Sequence, residues 1–195
     1  IPGRLIYSSS PDRGLNHLLR IFPEIKKKVP NTHLRIFYAF QPQFEANKWG
    51  MHLFSEMYWN IKIMMQQDGV EHVGPVGKRQ LALEQLRSEL MVYPEETLRP
   101  TEGFGITYAE ALAAKVAIIG SDVDAVGELW GDYIALMPPP PFIDKEWIDL
   151  TVTLLESPKK RKQYYEAGRE KVLKDYTWDK VGEHWIKLLE EIKCQ

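Results

Sequence analysis

Short apolar runs alternate with longer amphipathic stretches along most of the chain, a pattern that predicts parallel strands joined by helices. Arg4 to Tyr7 reads as a first strand, and Ser8 to Gly14 as a loop of small residues. Leu15, Leu18, Leu19, Phe22 and Ile25 then recur at helical spacing on one face. Lys26 to Lys28 suit the negative end of that helix, Pro30 stops it, and His33 to Tyr38 alternates into a second strand. Residues 40 to 50 form a polar loop, and the Met-, Leu- and aromatic-rich stretch Met51 to Gln67 predicts a helix packed on the sheet. Val70 to Val73 predicts a short strand, Gly74 to Gly77 a loop, and Arg79 to Arg87 a helix with Leu81 and Leu86 turned inward. Leu90 to Pro94 is short, apolar and closed by proline, as a buried parallel strand should be.

From Gly105 the chain is rich in helix formers, Val116 to Ile119 is a further buried strand, and Tyr133 to Met137 another. Prolines 138 to 141 make a stiff extended spacer before three helical segments at about 145–156, 158–175 and 178–193. No internal repeat is present. The fold class expected is α/β, a doubly wound parallel, Rossmann-like sheet; residues 1–195 form one domain with a helical C-terminal extension over about 144–195.

Composition narrows the partners. At 195 residues and 44% hydrophobic content the chain can bury a full core, and a net charge of -2 supplies no basic field for nucleic acid. Cys194 is the only cysteine, so no internal disulfide can form; together with the absence of a membrane-length apolar run or signal peptide this points to a soluble protein of the cytoplasm or another reducing compartment. The start at Ile1-Pro2-Gly3 suggests a domain cut from a longer polypeptide.

The chemistry concentrates in Glu102-Gly-Phe-Gly-Ile-Thr-Tyr-Ala-Glu110, which lies between the Leu90 strand and a helix starting near Gly105. Open α/β sheets bind ligands at that edge, and the unpaired amides and positive dipole end of a helix start suit phosphate. The loops Ser8–Gly14, Gly74–Gly77 and Thr101–Gly105 leave strand carboxyl ends and can converge on one nucleotide diphosphate. Arg13 offers a forked cation for its oxygens, and Glu102 and Glu110 can accept from sugar and ribose hydroxyls. The plainer alternatives are solvated carboxylates for the pair, a surface cation for Arg13 and a simple turn for Ser8 to Ser10. Asp122 and Asp124 mimic a metal-binding pair, but Asp124 can cap the next helix and no metal is assigned. The five histidines show no ligand spacing, although His17 and His72 lie nearest the ligand edge. The aromatic stretch 51–67 reads as core, with its exposed Trp or Tyr side chains as an alternative partner surface.

Ser9-Ser-Pro-Asp-Arg-Gly-Leu15, Val73-Gly-Pro-Val-Gly77, Tyr93-Pro94 and the Glu102 segment continuing through Glu110-Ala-Leu-Ala-Ala114 follow one another in an order that resembles the C-terminal, donor-binding domain of GT-B glycosyltransferases. The resemblance is to the large retaining, family 4-like group (glycosyl transferases group 1) that includes sucrose synthases and many bacterial glycan enzymes. It implies that Glu102 contacts the donor sugar and Glu110 the ribose, and that Arg13 meets the diphosphate beside Ser9, Ser10 and Gly14. It also implies that the backbone of Phe104, Gly105, Ile106 and Thr107 holds sugar and phosphate, while that around Val76 reads the base. Glu102 and Arg13 are the catalytic candidates, the donor is a substrate (a UDP-sugar), and neither cofactor nor metal is called for. The implied reaction passes a hexose or deoxyhexose to a glycan or other hydroxyl acceptor with retention of configuration.

Two positions depart from the family. Ser8 stands where many members have a second basic residue, and Lys115 where they have glycine. The acceptor-binding N-terminal domain of the family has no counterpart in this sequence. A nucleotide-sugar epimerase of GT-B-like fold and a non-catalytic nucleotide-binding module are the alternative functions.

Overall fold

The computed structural model describes residues 1–39, 52–96 and 102–193, and it shows one six-stranded, all-parallel sheet. The strands are β1 (Arg4–Tyr7), β2 (His33–Ile36), β3 (Val70–His72), β4 (Leu90–Tyr93), β5 (Ala117–Ser121) and β6 (Ala135–Met137), in the order β3-β2-β1-β4-β5-β6. β1 pairs with β2 from Arg4↔His33 to Tyr7↔Ile36 and with β4 at Leu5↔Leu90 and Ile6↔Met91. Leu5, Ile6, Tyr7, Leu90 and Val92 have no exposed surface, so both faces of the central strands need a covering layer. The helices supply it: α1 (Leu15–Lys28), α2 (His52–Met64), α3 (Lys78–Leu86), α4 (Ile106–Ala113), α5 (Val126–Trp130), α6 (Asp144–Glu156), α7 (Pro158–Asp175) and α8 (Trp178–Lys193). From β1 the chain builds outward through β2 and β3, then returns to β4 and builds the other way. Right-handed crossovers therefore put the helices of the two halves on opposite faces. α1 packs against α2 and α6, and α4 packs against α3 and α7.

The reversal in strand order falls between β1 and β4, so the loops leaving these two strands flank the crevice where such sheets bind ligands. Gly14 lets the two loops meet. Its φ is +87°, and a Cβ there would collide with the Pro94 carbonyl oxygen, so only glycine lets the end of the first loop lie on the start of the second. Beneath them Tyr7, Tyr93 and Tyr108 stack edge to face, with ring centres 5.6 Å and 5.4 Å apart. The Tyr7 hydroxyl donates to the carbonyls of Ser10 (2.7 Å) and Arg13 (3.0 Å), tying the first loop to the sheet.

The expected element order holds, with ends shifted by one to three residues. The expected burial of α3 does not. Leu86 is 63% exposed and Leu81 only half-buried, whereas Glu84 and Gln85 face inward. The cause lies on the sheet: Arg4 and Arg35 place two cations on the face that α3 covers, and the Glu84 carboxylate receives both, with Arg35 Nη1 at 2.7 Å. A buried cation requires a partner more than the helix requires a leucine. α2 buries Tyr58 and Ile61, with Met65 just beyond its end, and exposes Trp59 and Ile63, so only one side of it packs as expected. The polar loop expected at residues 40–50 lies outside the described residues. α8 leaves Trp178, Trp185, Ile186 and Leu189 exposed.

Candidate functional site

Arg13, the last residue before Gly14, extends across the crevice to the loop that follows β4. Its Nη1 donates to Glu95 Oε1 at 2.9 Å and to Glu102 Oε2 at a still shorter distance. The other oxygen of Glu102 accepts the Gly105 N–H at 2.7 Å. A continuous chain therefore runs from Arg13 through the Glu102 carboxylate to the amide that opens α4. Gly105 has a φ of +77°, and a side chain there would meet the rings of Tyr108 and Trp130, so the turn into α4 depends on glycine. Tyr108 and Ala109 donate back to the Gly105 carbonyl, while helix geometry gives the Ile106 and Thr107 amides no partner within α4.

The loop before α4 is held on both sides. Asp124, with a φ of +48°, accepts the Glu102 N–H at 3.1 Å. The Phe104 carbonyl accepts Trp130 Nε1 at 2.6 Å, and the Phe104 ring packs edge-on against Trp130 and Tyr176. Asp124 therefore serves the Glu102 loop and does not cap α5, whose first turn begins at Ala125 with no side-chain cap. The Asp122 carboxylate lies against Gly127, where a Cβ would require it to move. Among the described residues no group of three or more His, Cys, Asp or Glu is arranged to hold a metal ion.

Glu95 is the residue that motif reading missed. It is fully buried, its Oε2 accepts the Tyr108 hydroxyl at 3.3 Å, and its carboxyl is pushed up to about 7 by burial and by the neighbouring Glu102, against the opposing pull of Arg13. Burial works against the charge on Arg13, but Tyr93, Glu102 and Glu95 more than offset it and hold the guanidinium pKa above its ordinary value. Burial also pushes the Tyr7, Tyr93 and Tyr108 hydroxyls up, so they remain neutral donors. The available sequence signal for Glu95 was its position: the first residue after Pro94, at the carboxyl end of the strand beside the switch point.

The remaining candidates divide. Ser9 Oγ accepts the Tyr93 hydroxyl at 2.6 Å, and the Ser10 hydroxyl donates to Asp12, so both belong to the architecture of the loop. Ser8 Oγ is buried with no hydrogen-bond partner. Glu110, four residues into α4, is joined by Lys78 Nζ at 3.0 Å. Lys78 opens α3 directly after the Val76-Gly77 turn, so this pair brings the loop after β3 to the same edge as α4, with Val76 half-buried beside it. Lys78 was not singled out from the sequence, although a cation at a helix start is locally unfavourable in the same way as Arg13 and gave the same hint. His17 does not face the crevice. It is buried on α1 against Phe142 and Trp147, accepts from Arg20 at Nδ1, and its pKa is lowered to about 4 by burial first and by Arg20 next. His72 Nε2 lies 2.9 Å from the Tyr38 carbonyl.

Comparison with solved structures places this architecture. Sucrose-phosphate synthase from Thermosynechococcus elongatus superposes with a TM-score of 0.77 at 19% identity, over 99% of this chain and 46% of that one. The Anabaena protein HepE, in complex with UDP and glucose, superposes with a TM-score of 0.73 at 13% identity, over 97% of this chain and 48% of that one. By sequence, a phosphatidyl-myo-inositol mannosyltransferase of Mycobacterium tuberculosis is 30% identical over 95 residues, which are 47% of this chain and 25% of that protein. The chain thus spans less than half the length of these relatives. No helix among the described residues is long and apolar enough to cross a membrane. Residues 6–171 match the family described as glycosyl transferases group 1, and the chain belongs to that family.

Proposed function

We propose that this chain is the donor-binding part of a glycosyltransferase that takes a UDP-sugar and passes its hexose or deoxyhexose to a glycan or other hydroxyl acceptor. The observation that carries the reading is the meeting of Arg13 with the start of α4 at the switch point, bridged by Glu102. A forked cation and a set of helix-start amides on one crevice suit a diphosphate, and the loop from β3 reaches the same edge through Lys78 and Glu110. HepE, which shares this fold, binds UDP and glucose, which supports uridine and a hexose here.

The chemistry asked of these residues is positioning and charge stabilisation. As the bond between the anomeric carbon and the diphosphate breaks, negative charge grows on the departing phosphate. Arg13 and the amides of Gly105, Ile106 and Thr107 are preorganised to receive it. Glu102 bonds to both Arg13 and Gly105, so an arriving diphosphate displaces its carboxylate toward the sugar hydroxyls, and Glu110 takes the ribose. Phosphate charge met by Arg13 and a helix end needs no metal, and transfer with retention needs no separate base from this domain.

A thermal-shift panel of nucleotide sugars tests the reading. A ligand at a hundred times its dissociation constant stabilises the fold by about 2.7 kcal/mol, which raises the Tm of a chain this size by roughly 5–10 °C. UDP-sugars are expected to give that shift with EDTA present. A panel that shifts nothing, or shifts only with manganese, contradicts it.

A further inference from the structure

Arg13 is shared by two carboxylates of different character. Glu102 is in a loop, with 17% of its side chain exposed, and it can turn toward a ligand or water. Glu95 has no exposure at all. It follows directly on Pro94, whose carbonyl packs on Gly14, its N–H donates to the Tyr93 carbonyl at 2.8 Å, and its far oxygen is held by Tyr108. When both are ionised, Arg13 faces two anions among the described residues, and a diphosphate adds more negative charge at the same point. An anion is received well there only if that surplus is reduced.

We propose that Glu95 is a positioning residue for the donor diphosphate: it keeps Arg13 aimed into the crevice when Glu102 lets go, and it takes up a proton as the diphosphate arrives. The inference rests on the nucleoside-diphosphate site proposed above. The proton comes from solvent and neutralises the Glu95 carboxylate. The acid still accepts from Arg13 Nη1 through its carbonyl oxygen, so the guanidinium stays in place with its charge directed at the ligand. A carboxyl already pushed up to about 7 takes this proton near neutrality. Among the described residues, the charged and titratable groups facing Glu95 are Arg13 from the loop after β1, Glu102 from the loop after β4, Tyr93 from β4, Tyr108 from α4 and Tyr7 from β1. The three hydroxyls are pushed up and stay protonated over the same range, which leaves the Glu95 carboxyl to take the proton.

Calorimetric titration of UDP into the chain, its Glu95→Gln form and its Glu95→Ala form, from pH 6.5 to 8.5, tests this. Each titration is run in two buffers of different ionisation heat, so that protons taken up on binding are counted. The wild type is expected to take up protons and to lose at least about fivefold in affinity over that range relative to Glu95→Gln, a comparison that cancels the titration of UDP itself. Glu95→Gln keeps an acceptor for Arg13 and binds at pH 8.5 more tightly than wild type. Glu95→Ala, which loses the anchor, binds roughly tenfold more weakly than Glu95→Gln at every pH. If the alanine form does not fold, the glutamine form and its proton count decide the matter. Equal proton uptake and equal pH profiles for wild type and Glu95→Gln overturn the inference alone. Absence of UDP binding by the folded wild type overturns the functional reading, and the inference with it.

Discussion

Replacing Glu102 by alanine lowers stability, spares or improves the binding of free UDP, and weakens the binding of a UDP-sugar relative to UDP. The carboxylate holds two groups that would otherwise compete for a ligand: the Gly105 N–H at 2.7 Å and Arg13 Nη1. Losing the acceptor of an orphan helix-start amide costs about 0.5 to 2 kcal/mol. Arg13 keeps Glu95 at 2.9 Å, so no unpaired buried cation adds to that figure. The Tm of Glu102→Ala therefore falls by roughly 1–8 °C, at about 2–4 °C per kcal/mol for a chain of this length. Free UDP, which needs Arg13 and the amides but not a sugar contact, binds as well as before or better. A UDP-sugar loses a charged hydrogen bond to its hydroxyls, about 1.5 to 3 kcal/mol or at least roughly tenfold relative to UDP. Calorimetry with UDP and UDP-glucose, alongside thermal melts, measures all three quantities. A Glu102→Ala form that folds by circular dichroism yet loses UDP binding as severely as Arg13→Ala refutes the assignment of Glu102 to the sugar.

Glu110→Ala should weaken UDP and UDP-sugar alike, by about 1.5 to 3 kcal/mol if the ribose contact is desolvated, and equal affinity in a UDP titration would count against that role. Gly14→Ala combines a left-handed φ worth about 1–2 kcal/mol with a backbone collision worth about 1–3 kcal/mol, so urea denaturation should show a loss of roughly 2–5 kcal/mol; a loss under 0.5 kcal/mol would contradict the packing of Gly14 on Pro94. His17 is held neutral with its pKa lowered to about 4, so the stability it contributes is full above its unfolded value near 6.5 and is lost as pH falls toward 4. Compared with His17→Phe, the wild type should lose up to about 3 kcal/mol more between pH 7 and 4; Glu95 titrates in both proteins and cancels from the comparison. Parallel stability profiles would show that His17 is not the group responsible.

The sheet was legible because its strands are apolar on both faces: Leu5-Ile6-Tyr7 and Leu90-Met91-Val92 admit little besides a covered parallel strand. The Glu102 to Glu110 segment was legible because glycines and helix formers mark the turn into α4. What stayed hidden depends on contacts distant in sequence. Glu84 is buried because Arg4 and Arg35, 80 and 49 positions away, point at it. Periodicity along α3 alone favours its leucines. Glu95 matters because Gly14 brings Arg13 across 82 positions to meet it, and no local pattern encodes that approach. Lys78 likewise finds Glu110 only after three strands have been laid between β3 and β5.

Arg13 and the start of α4 are proposed above to form a diphosphate site at the switch point. A calorimetric titration of UDP into the wild-type chain and into Arg13→Ala tests it most directly. The account predicts saturable binding by the wild type and a loss of at least roughly tenfold in Arg13→Ala, the cost of one charged hydrogen bond. No heat at millimolar UDP with folded protein, or equal binding by both forms, would contradict it.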